Sequence, residues 1–68
     1  MDARDLGRTL LLRRQHLGLR QDELAELAEV SERFVRELEH GKPSVRLDKV
    51  SEVLDALGLT LTVSLKSK

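Results

Sequence analysis

The 68-residue chain is long enough for one small domain, and it contains no cysteine, so neither disulfides nor thiolate-bound metals can stabilise it. Its formal net charge is zero, whereas a protein that binds nucleic acid is expected to carry a net positive charge. The charge is uneven, however: residues 1–20 carry five basic against two acidic side chains, residues 21–40 two against seven, and residues 41–68 five against three. A domain this small is marginal alone, so oligomerisation is the expected source of stability.

Several classes of protein are excluded by what the sequence lacks. No apolar run approaches the roughly 18 residues of a membrane span, and the N-terminus lacks the basic-then-apolar order of a signal peptide, so we expect a cytoplasmic protein with no membrane role. His16 and His40 have no ligand-like spacing, and there is no Ser–His–acid set or glycine-rich phosphate loop; we expect no metal, no cofactor and no enzymatic activity. A single aromatic residue, Phe34, argues against a protein that stacks single-stranded bases.

The first two helices are predicted from their ends and their apolar period. Asp2 and Asp5 have the spacing of a capping box, and Gly18 is the residue expected to end the first helix. The second helix is predicted over Gln21–Ala28, with acidic residues in its first turn, where the helix dipole favours them. Its buried side is expected to consist of Leu24, Ala25, Leu27 and Ala28.

Two further helices follow after short connections. Ser31 is a good N-cap for the third helix, and Gly41, with Pro43 just beyond, is expected to end it. The fourth helix is predicted over residues 47–57, and Gly58 ends it. The sequence therefore predicts an all-α domain over residues 1–58.

The hydrophobic period then changes from helical spacing to alternation, which predicts a β-strand. The apolar members of this alternation, which we expect to form a dimer interface, are Leu59, Leu61, Val63 and Leu65. A lone strand cannot satisfy its own backbone, so its simplest partner is the same strand of a second copy in a two-stranded antiparallel ribbon. The alternative is a disordered tail with chance alternation. Residues 59–68 are thus a predicted dimerisation strand and tail.

The second and third helices are joined by a very short turn, and this is the signature of a helix-turn-helix motif. Ala25 and Ala28 are small where the two helices meet, and Val35 supplies the buried apolar residue that the second of the two helices needs. In this motif the N-terminal half of the later helix enters the major groove of duplex DNA, while the earlier helix touches the backbone. The pattern therefore predicts a DNA-binding protein.

The runs 17–25 (LGLRQDELA), 30–31 (VS) and 37–43 (ELEHGKP) resemble the XRE/Cro helix-turn-helix family, and the likeness extends over residues 6–58. The ending at residues 53–63 (VLDALGLTLTV) is similar to that of the HipB antitoxins. This resemblance implies a lambda-repressor-like helix-turn-helix bundle of four to five helices whose C-terminal β-strand pairs across a dimer. It also implies two partners, duplex DNA and a HipA-like kinase toxin.

Several roles follow from the resemblance by position. Gln21, backed by Arg20, is expected to bind a DNA phosphate at the start of the second helix; family members often have Ser, Thr or Asn where this chain has Arg20. Further phosphate contacts are expected after the third helix, from His40, Lys42, Ser44 and Arg46. For His40 a simple role as a surface cap is an equal alternative. Arg14 and Glu39 match a family pair that forms a buried salt bridge between the first helix and the end of the third.

The residues expected to read bases lie at and just after the start of the third helix: Ser31, Glu32, Arg33, Arg36 and Glu37. Either arginine can bind guanine O6 and N7 with both ends of its guanidinium group, and Glu32 can accept from cytosine N4, so we expect a half-site with G·C pairs. Glu32 and Glu37 depart from the Gln or Thr of many related proteins, and their carboxylates repel phosphate.

The function expected from these features is that of a sequence-specific repressor of transcription. The ending typical of HipB indicates the antitoxin of a type II toxin–antitoxin system that regulates its own operon through an inverted-repeat operator. Two alternatives stay open: a protein-interaction module whose main role is to neutralise a HipA-like kinase, and a stand-alone phage-type repressor.

Overall fold

The computed structural model describes residues 1–66, and its regular structure is helical. The elements are α1 (Ala3–His16), α2 (Gln21–Ala28), α3 (Glu32–Glu39) and α4 (Leu47–Ala56). None of the four is long and apolar enough to cross a bilayer. The expected all-α bundle with a helix-turn-helix at its centre is confirmed.

The ends of α1 lie where the capping residues predicted them. The Asp2 carboxylate accepts a hydrogen bond from the N–H of Asp5 at 2.9 Å, and the Asp5 carboxylate accepts from the N–H of Asp2 at 3.2 Å. At the other end Leu17 caps the helix and Gly18 has φ +71°, the left-handed conformation that glycine adopts at low cost. Both ends of α1 are therefore fixed by local chemistry.

The turn between α2 and α3 consists of three residues, Glu29, Val30 and Ser31. Glu29 has φ 58° and ψ 43°, which makes it the one residue other than glycine with a positive φ in the described chain. The Ser31 hydroxyl accepts a hydrogen bond from the N–H of Phe34 at 3.0 Å, as expected of an N-cap. The left-handed residue thus ends α2, and the N-cap two residues later begins α3.

The core forms where the apolar faces of the four helices meet. Its buried members are Leu10, Leu24, Ala25, Ala28, Val35, Leu38, Val50, Val53, Leu54 and Leu57. Ala25 and Ala28 are buried as expected where α2 meets its neighbours, but the prediction for Leu27 is wrong, because this side chain is 61% exposed. Leu24, Ala25 and Ala28 already define one face of α2, and Leu27 lies on its solvent-facing flank.

α1 packs closely against α3 at Gly7, which is buried. A Cβ atom at Gly7 would lie 2.5 Å from the carbonyl oxygen of Leu38 and 2.7 Å from that of Glu39, too close for any side chain. Because these atoms belong to the backbone of α3, no side-chain rotation would relieve the clash. Gly7 therefore sets the distance at which α1 supports the end of α3.

Two hydrogen bonds hold the chain at the point where the segment after α4 leaves the bundle. The Leu59 N–H donates to the Leu54 carbonyl oxygen at 2.8 Å, and Arg13 Nε donates to the Leu57 carbonyl oxygen at 2.9 Å. Leu59 packs against the chain's own core, whereas Val63 and Leu65 are each 97% exposed. Within residues 1–66 no strand is paired, so pairing across a dimer stays a prediction, and residues 67–68 of the predicted tail lie outside the described part.

Candidate nucleic-acid interface

The N-terminal half of α3 is exposed on the side opposite the core. Val35 and Leu38 bury one face of the helix, and this orientation turns Glu32, Arg33 and Arg36 toward solvent. Ser31, at the N-cap, is exposed as well. Four of the five residues predicted to read bases therefore share one accessible surface, while the fifth, Glu37, is only partly exposed.

A buried ion pair holds the C-terminal end of α3 against α1. Arg14 Nε donates to Glu39 Oε2 at 2.6 Å and Arg14 Nη2 to Glu39 Oε1 at 3.1 Å, and the side chains are only 11% and 4% exposed. Arg14 Nη1 also donates to the Leu19 carbonyl oxygen at 2.8 Å, which adds the α1–α2 connection to the same cluster. The structure thus brings together the two residues that the family resemblance pairs.

Gln21 joins this cluster from the start of α2. Its Nε2 donates to Glu39 Oε1 at 3.0 Å, so the side chain is oriented by the same carboxylate that binds Arg14. An amide NH2 group has two hydrogens, so one donor remains after this bond. Glu39 therefore links the end of α3 to the start of α2 and to the middle of α1.

Each arginine of α3 has a carboxylate near it on the same helix. Arg33 Nε donates to Glu37 Oε2 at 3.1 Å, and Lys42 Nζ donates to the other oxygen of Glu37 at 3.3 Å. The bond from Arg33, and then that from Lys42, lowers the pKa of Glu37 below its usual value. Arg36 and Glu32 are farther apart, with 3.8 Å between Nη1 and Oε2.

The same local arrangement occurs at the starts of α2 and α4. Arg20 is the N-cap of α2, and its Nε and Nη2 donate to the two oxygens of Asp22 at 3.0 and 3.4 Å. Arg46 is the N-cap of α4, and its Nε and Nη2 donate to the two oxygens of Asp48 at 3.1 and 2.6 Å. The bonded arginine lowers the pKa of each aspartate, and the bonded aspartate raises the pKa of each arginine.

The loop after α3 carries the other residues predicted to bind phosphate. Gly41 has φ +85°, and a Cβ there would lie 3.0 Å from the Cα of Arg4, so only glycine fits both the turn and the contact with α1. His40 Nδ1 lies 2.7 Å from the Arg36 carbonyl oxygen; since a carbonyl only accepts, Nδ1 is the donor in this hydrogen bond. Lys42 and Ser44 are exposed.

The candidate surface thus combines the exposed half of α3, the start of α2 and the loop from His40 to Arg46. Sequence reasoning did not identify the bidentate Arg–Asp pairs, although the signal was present as Arg-X-Asp at residues 20–22 and again at 46–48. It also missed Arg13 and Gly7, whose roles depend on residues more than 30 positions away. Within residues 1–66 no group of three His, Asp or Glu side chains could hold a metal ion.

The chain resembles known proteins over nearly its whole length. The family model described as a helix-turn-helix domain matches residues 5–64. The uncharacterized HTH-type transcriptional regulator y4mF of Sinorhizobium fredii is 42% identical over 59 residues, which cover 87% of this chain and 78% of that protein.

Among solved structures, a chain of the HipA-HipB-O2-O3 complex superposes with a TM-score of 0.90 at 22% identity, covering 98% of this chain and 94% of that one. A chain of the HipB-O4 20mer complex superposes with a TM-score of 0.89 at the same identity and coverage. At this identity the likeness is one of fold. Taken together with the family match, it shows that the chain belongs to the helix-turn-helix family of DNA-binding transcriptional regulators and has the XRE-like fold of HipB.

Proposed function

We propose that this chain is a homodimeric transcriptional repressor that binds an inverted-repeat operator in duplex DNA. The observation that carries the proposal is the exposed N-terminal half of α3, on which Arg33 and Arg36 are both accessible to solvent. A helix of this kind fits the major groove, where guanidinium groups bind guanine O6 and N7.

The base-reading role falls first on the two arginines of α3. Each is held loosely by a carboxylate at the helix surface, and Arg33 is 79% exposed, so its guanidinium group is free to turn toward a base. Glu32, in the first turn, is placed to accept from cytosine N4, and Ser31 lies beside it. A half-site containing G·C pairs is the expected target.

Phosphate contacts position the protein and carry no sequence information directly. We assign them to the start of α2 and to the loop after α3. The residues concerned are Arg20, Gln21, His40, Lys42, Ser44 and Arg46. Gln21 offers a fixed amide donor together with the positive end of the α2 dipole, which is a favourable site for a phosphate oxygen.

The regulated operon is proposed to be the protein's own, with the chain acting as a HipB-like antitoxin in the cytoplasm. Support comes from the likeness to a chain of the HipA-HipB-O2-O3 complex over 98% of this chain. A HipA-like kinase is then the protein partner. The zero net charge and the exposed Leu61, Val63 and Leu65 favour a second candidate, in which kinase binding is the main role and DNA binding is secondary.

The decisive experiment is selection of bound sequences from a random duplex pool, followed by affinity measurements on the selected duplex. Two half-sites about 34–36 Å apart, one helical turn, are expected in inverted orientation. Arg33→Ala or Arg36→Ala should weaken binding by about 1–3 kcal/mol and relax the preference at one base pair. Arg8→Ala, an exposed change on α1, is the control.

Equal affinity of the parent and both α3 variants for every half-site sequence would refute the assigned base readers. Failure to select any sequence, together with stable binding to a purified HipA-like kinase, would instead favour the second candidate. A steep fall in DNA affinity with salt is expected in either case if phosphate contacts are made.

A further inference from the structure

The three cationic side chains to which the proposed function assigns phosphate contacts all have carboxylate partners in the free protein. Arg20 is bound to Asp22, Lys42 to Glu37 and Arg46 to Asp48. Three separate segments of the chain, the starts of α2 and α4 and the loop after α3, thus show the same feature. The three cation–carboxylate pairs should therefore affect the binding of DNA phosphate in the same way.

Two of these carboxylates also use the backbone donors of a helix start. Asp22 Oδ1 accepts from the N–H of Glu23 at 3.0 Å, and Asp48 Oδ1 accepts from the N–H of Lys49 at 2.9 Å. Free N–H groups and the positive end of the dipole are what make a helix start attractive to phosphate. Each aspartate therefore binds both groups that a DNA phosphate would use there: the guanidinium group and the first-turn amide.

We propose that Asp22, Glu37 and Asp48 are internal competitors of DNA phosphate, which lower the affinity of this surface for duplex DNA of any sequence. This inference rests on the proposed function. On binding, each phosphate oxygen must displace a carboxylate oxygen from the cation or share the cation with it. The displaced carboxylate stays near the backbone of the DNA and repels it. No covalent step is involved.

The ion pairs are weak enough to be exchanged. In the two Arg–Asp pairs the side chains are between 54% and 73% exposed, and exposed pairs of this kind contribute little to folding stability. Their removal should therefore change DNA affinity while leaving the fold intact. The bond from Asp22 or Asp48 to a backbone N–H can be kept by asparagine, which retains one acceptor oxygen, replaces the other with an NH2 group and removes the charge.

The inference is tested with Asp22→Asn, Asp48→Asn and Glu37→Gln in the full chain. Binding to a fluorescein-labelled random-sequence duplex is measured by anisotropy at several salt concentrations between about 50 and 200 mM. The matched controls are Glu26→Gln on α2 and Glu52→Gln on α4. Each control removes one exposed carboxylate four residues beyond the aspartate on the same helix, and neither has an ion-pair partner among residues 1–66.

Each of the three variants should bind the random duplex about two- to five-fold tighter than the parent, which corresponds to one exposed ion pair. The slope of log affinity against log salt should steepen by up to about one for each cation released. The controls share the change in net charge and should move affinity less than the variants. The melting temperature of each variant should fall by no more than about 5 °C, because an exposed ion pair contributes little to the stability of the fold.

A double-mutant cycle separates competition for the cation from simple repulsion of DNA. If Asp48 competes for Arg46, the gain from Asp48→Asn should shrink in an Arg46→Gln background; a gain of the same size in both backgrounds would overturn the inference. Gains equal to those of the controls would overturn it as well. Both of those results leave the proposed function standing, whereas absence of binding to any duplex by parent and variants alike would remove the function and the inference together.

Discussion

At the scale of single residues, the turn between α2 and α3 is where the sequence departs most from local preference. Glu29 occupies the left-handed region at φ 58° and ψ 43°, a conformation that costs a residue with a Cβ about 1–2 kcal/mol. Because the turn has only three residues, there is no room to avoid it. The short turn therefore imposes a positive φ on Glu29, although a residue with a Cβ prefers a negative φ.

Glu29→Gly is therefore expected to stabilise the protein by about 0.5–1 kcal/mol, after the greater entropy of glycine in the unfolded chain is subtracted. The measurement is the free energy of unfolding from urea titration. Glu26→Gly, placed in the interior of α2, is the control and should destabilise by about 1 kcal/mol. A loss of stability at both positions would mean that the left-handed strain at Glu29 is not significant.

The N-cap of α1 predicts a dependence of stability on pH. The hydrogen bond from the Asp5 N–H lowers the pKa of Asp2 below its usual value in the folded protein. A carboxylate with a depressed pKa stabilises the fold above its unfolded pKa, and this contribution is lost as the pH falls through the folded pKa. Asp2→Asn should therefore be less stable than the parent at neutral pH.

The difference between Asp2→Asn and the parent should vanish in acid, since both side chains are then uncharged acceptors. Unfolding curves measured at a series of pH values from 7 downward test this: the difference should begin to shrink below the ordinary aspartate pKa of about 3.9 and should be gone only below the lower pKa of Asp2 in the folded protein. A difference that persists unchanged at the lowest pH would indicate that the cap acts through shape and not through charge.

At the scale of elements, the ion pair of Arg14 and Glu39 decides how α1 supports α3. Removing one member of a buried ion pair leaves an uncompensated charge and costs about 3–5 kcal/mol. Glu39→Met should therefore destabilise by this amount, and it should also free Gln21, whose amide is oriented by the same carboxylate. Calorimetric or urea unfolding measures the loss.

The matched control is the double variant Arg14→Met/Glu39→Met, which replaces both charges with apolar groups of similar length. It should recover most of the stability, because no buried charge remains without a partner. If the single and double variants are equally unstable, the cost comes from lost packing and not from the unpaired guanidinium.

The positions of the elements were largely predictable because their ends depend on short-range chemistry. Asp2, Ser31, Gly18 and Gly41 act within three or four residues of themselves, and all four lie at the helix ends where they were expected. Leu27 was assigned wrongly because helical spacing gives the width of an apolar face only approximately, and the neighbouring helices cover the flank with Leu24, Ala25 and Ala28.

At the scale of the whole molecule, the segment after α4 carries apolar side chains that a single chain leaves exposed. Leu61, Val63 and Leu65 are exposed, while Leu59 is used by the core of its own chain. Arg13 Nε donates to the Leu57 carbonyl oxygen, which ties the end of α4 to α1 just before this segment begins. A shallow groove between α4 and this segment, lined by Ser51, Leu54, Asp55, Leu59, Thr60 and Leu61, runs beside it.

Val63→Asp should dissociate the proposed dimer, because a second copy would have to bury a carboxylate in the strand ribbon. Sedimentation velocity measures the mass. Thr62→Asp, at the alternate position of the predicted strand, is the control and should leave the dimer intact, since successive side chains of a strand point to opposite faces. An unchanged mass for Val63→Asp would show that these residues are not the interface.

The sequence by itself determined the four helices, the N-caps of α1 and α3 and the helix-turn-helix class, because capping and hydrophobic period act over a few residues. Only the tertiary structure decided that Gly7 must be glycine, that Arg13 anchors the end of α4, and that Glu39 joins Arg14 to Gln21. It also revealed that the cations of the proposed DNA surface are neutralised by carboxylates. The contacts of Gly7, Arg13 and Glu39 join atoms that are far apart in the chain, so no local pattern encodes them. The Arg-X-Asp spacing permits the two Arg–Asp pairs, but only the side-chain geometry shows that they form.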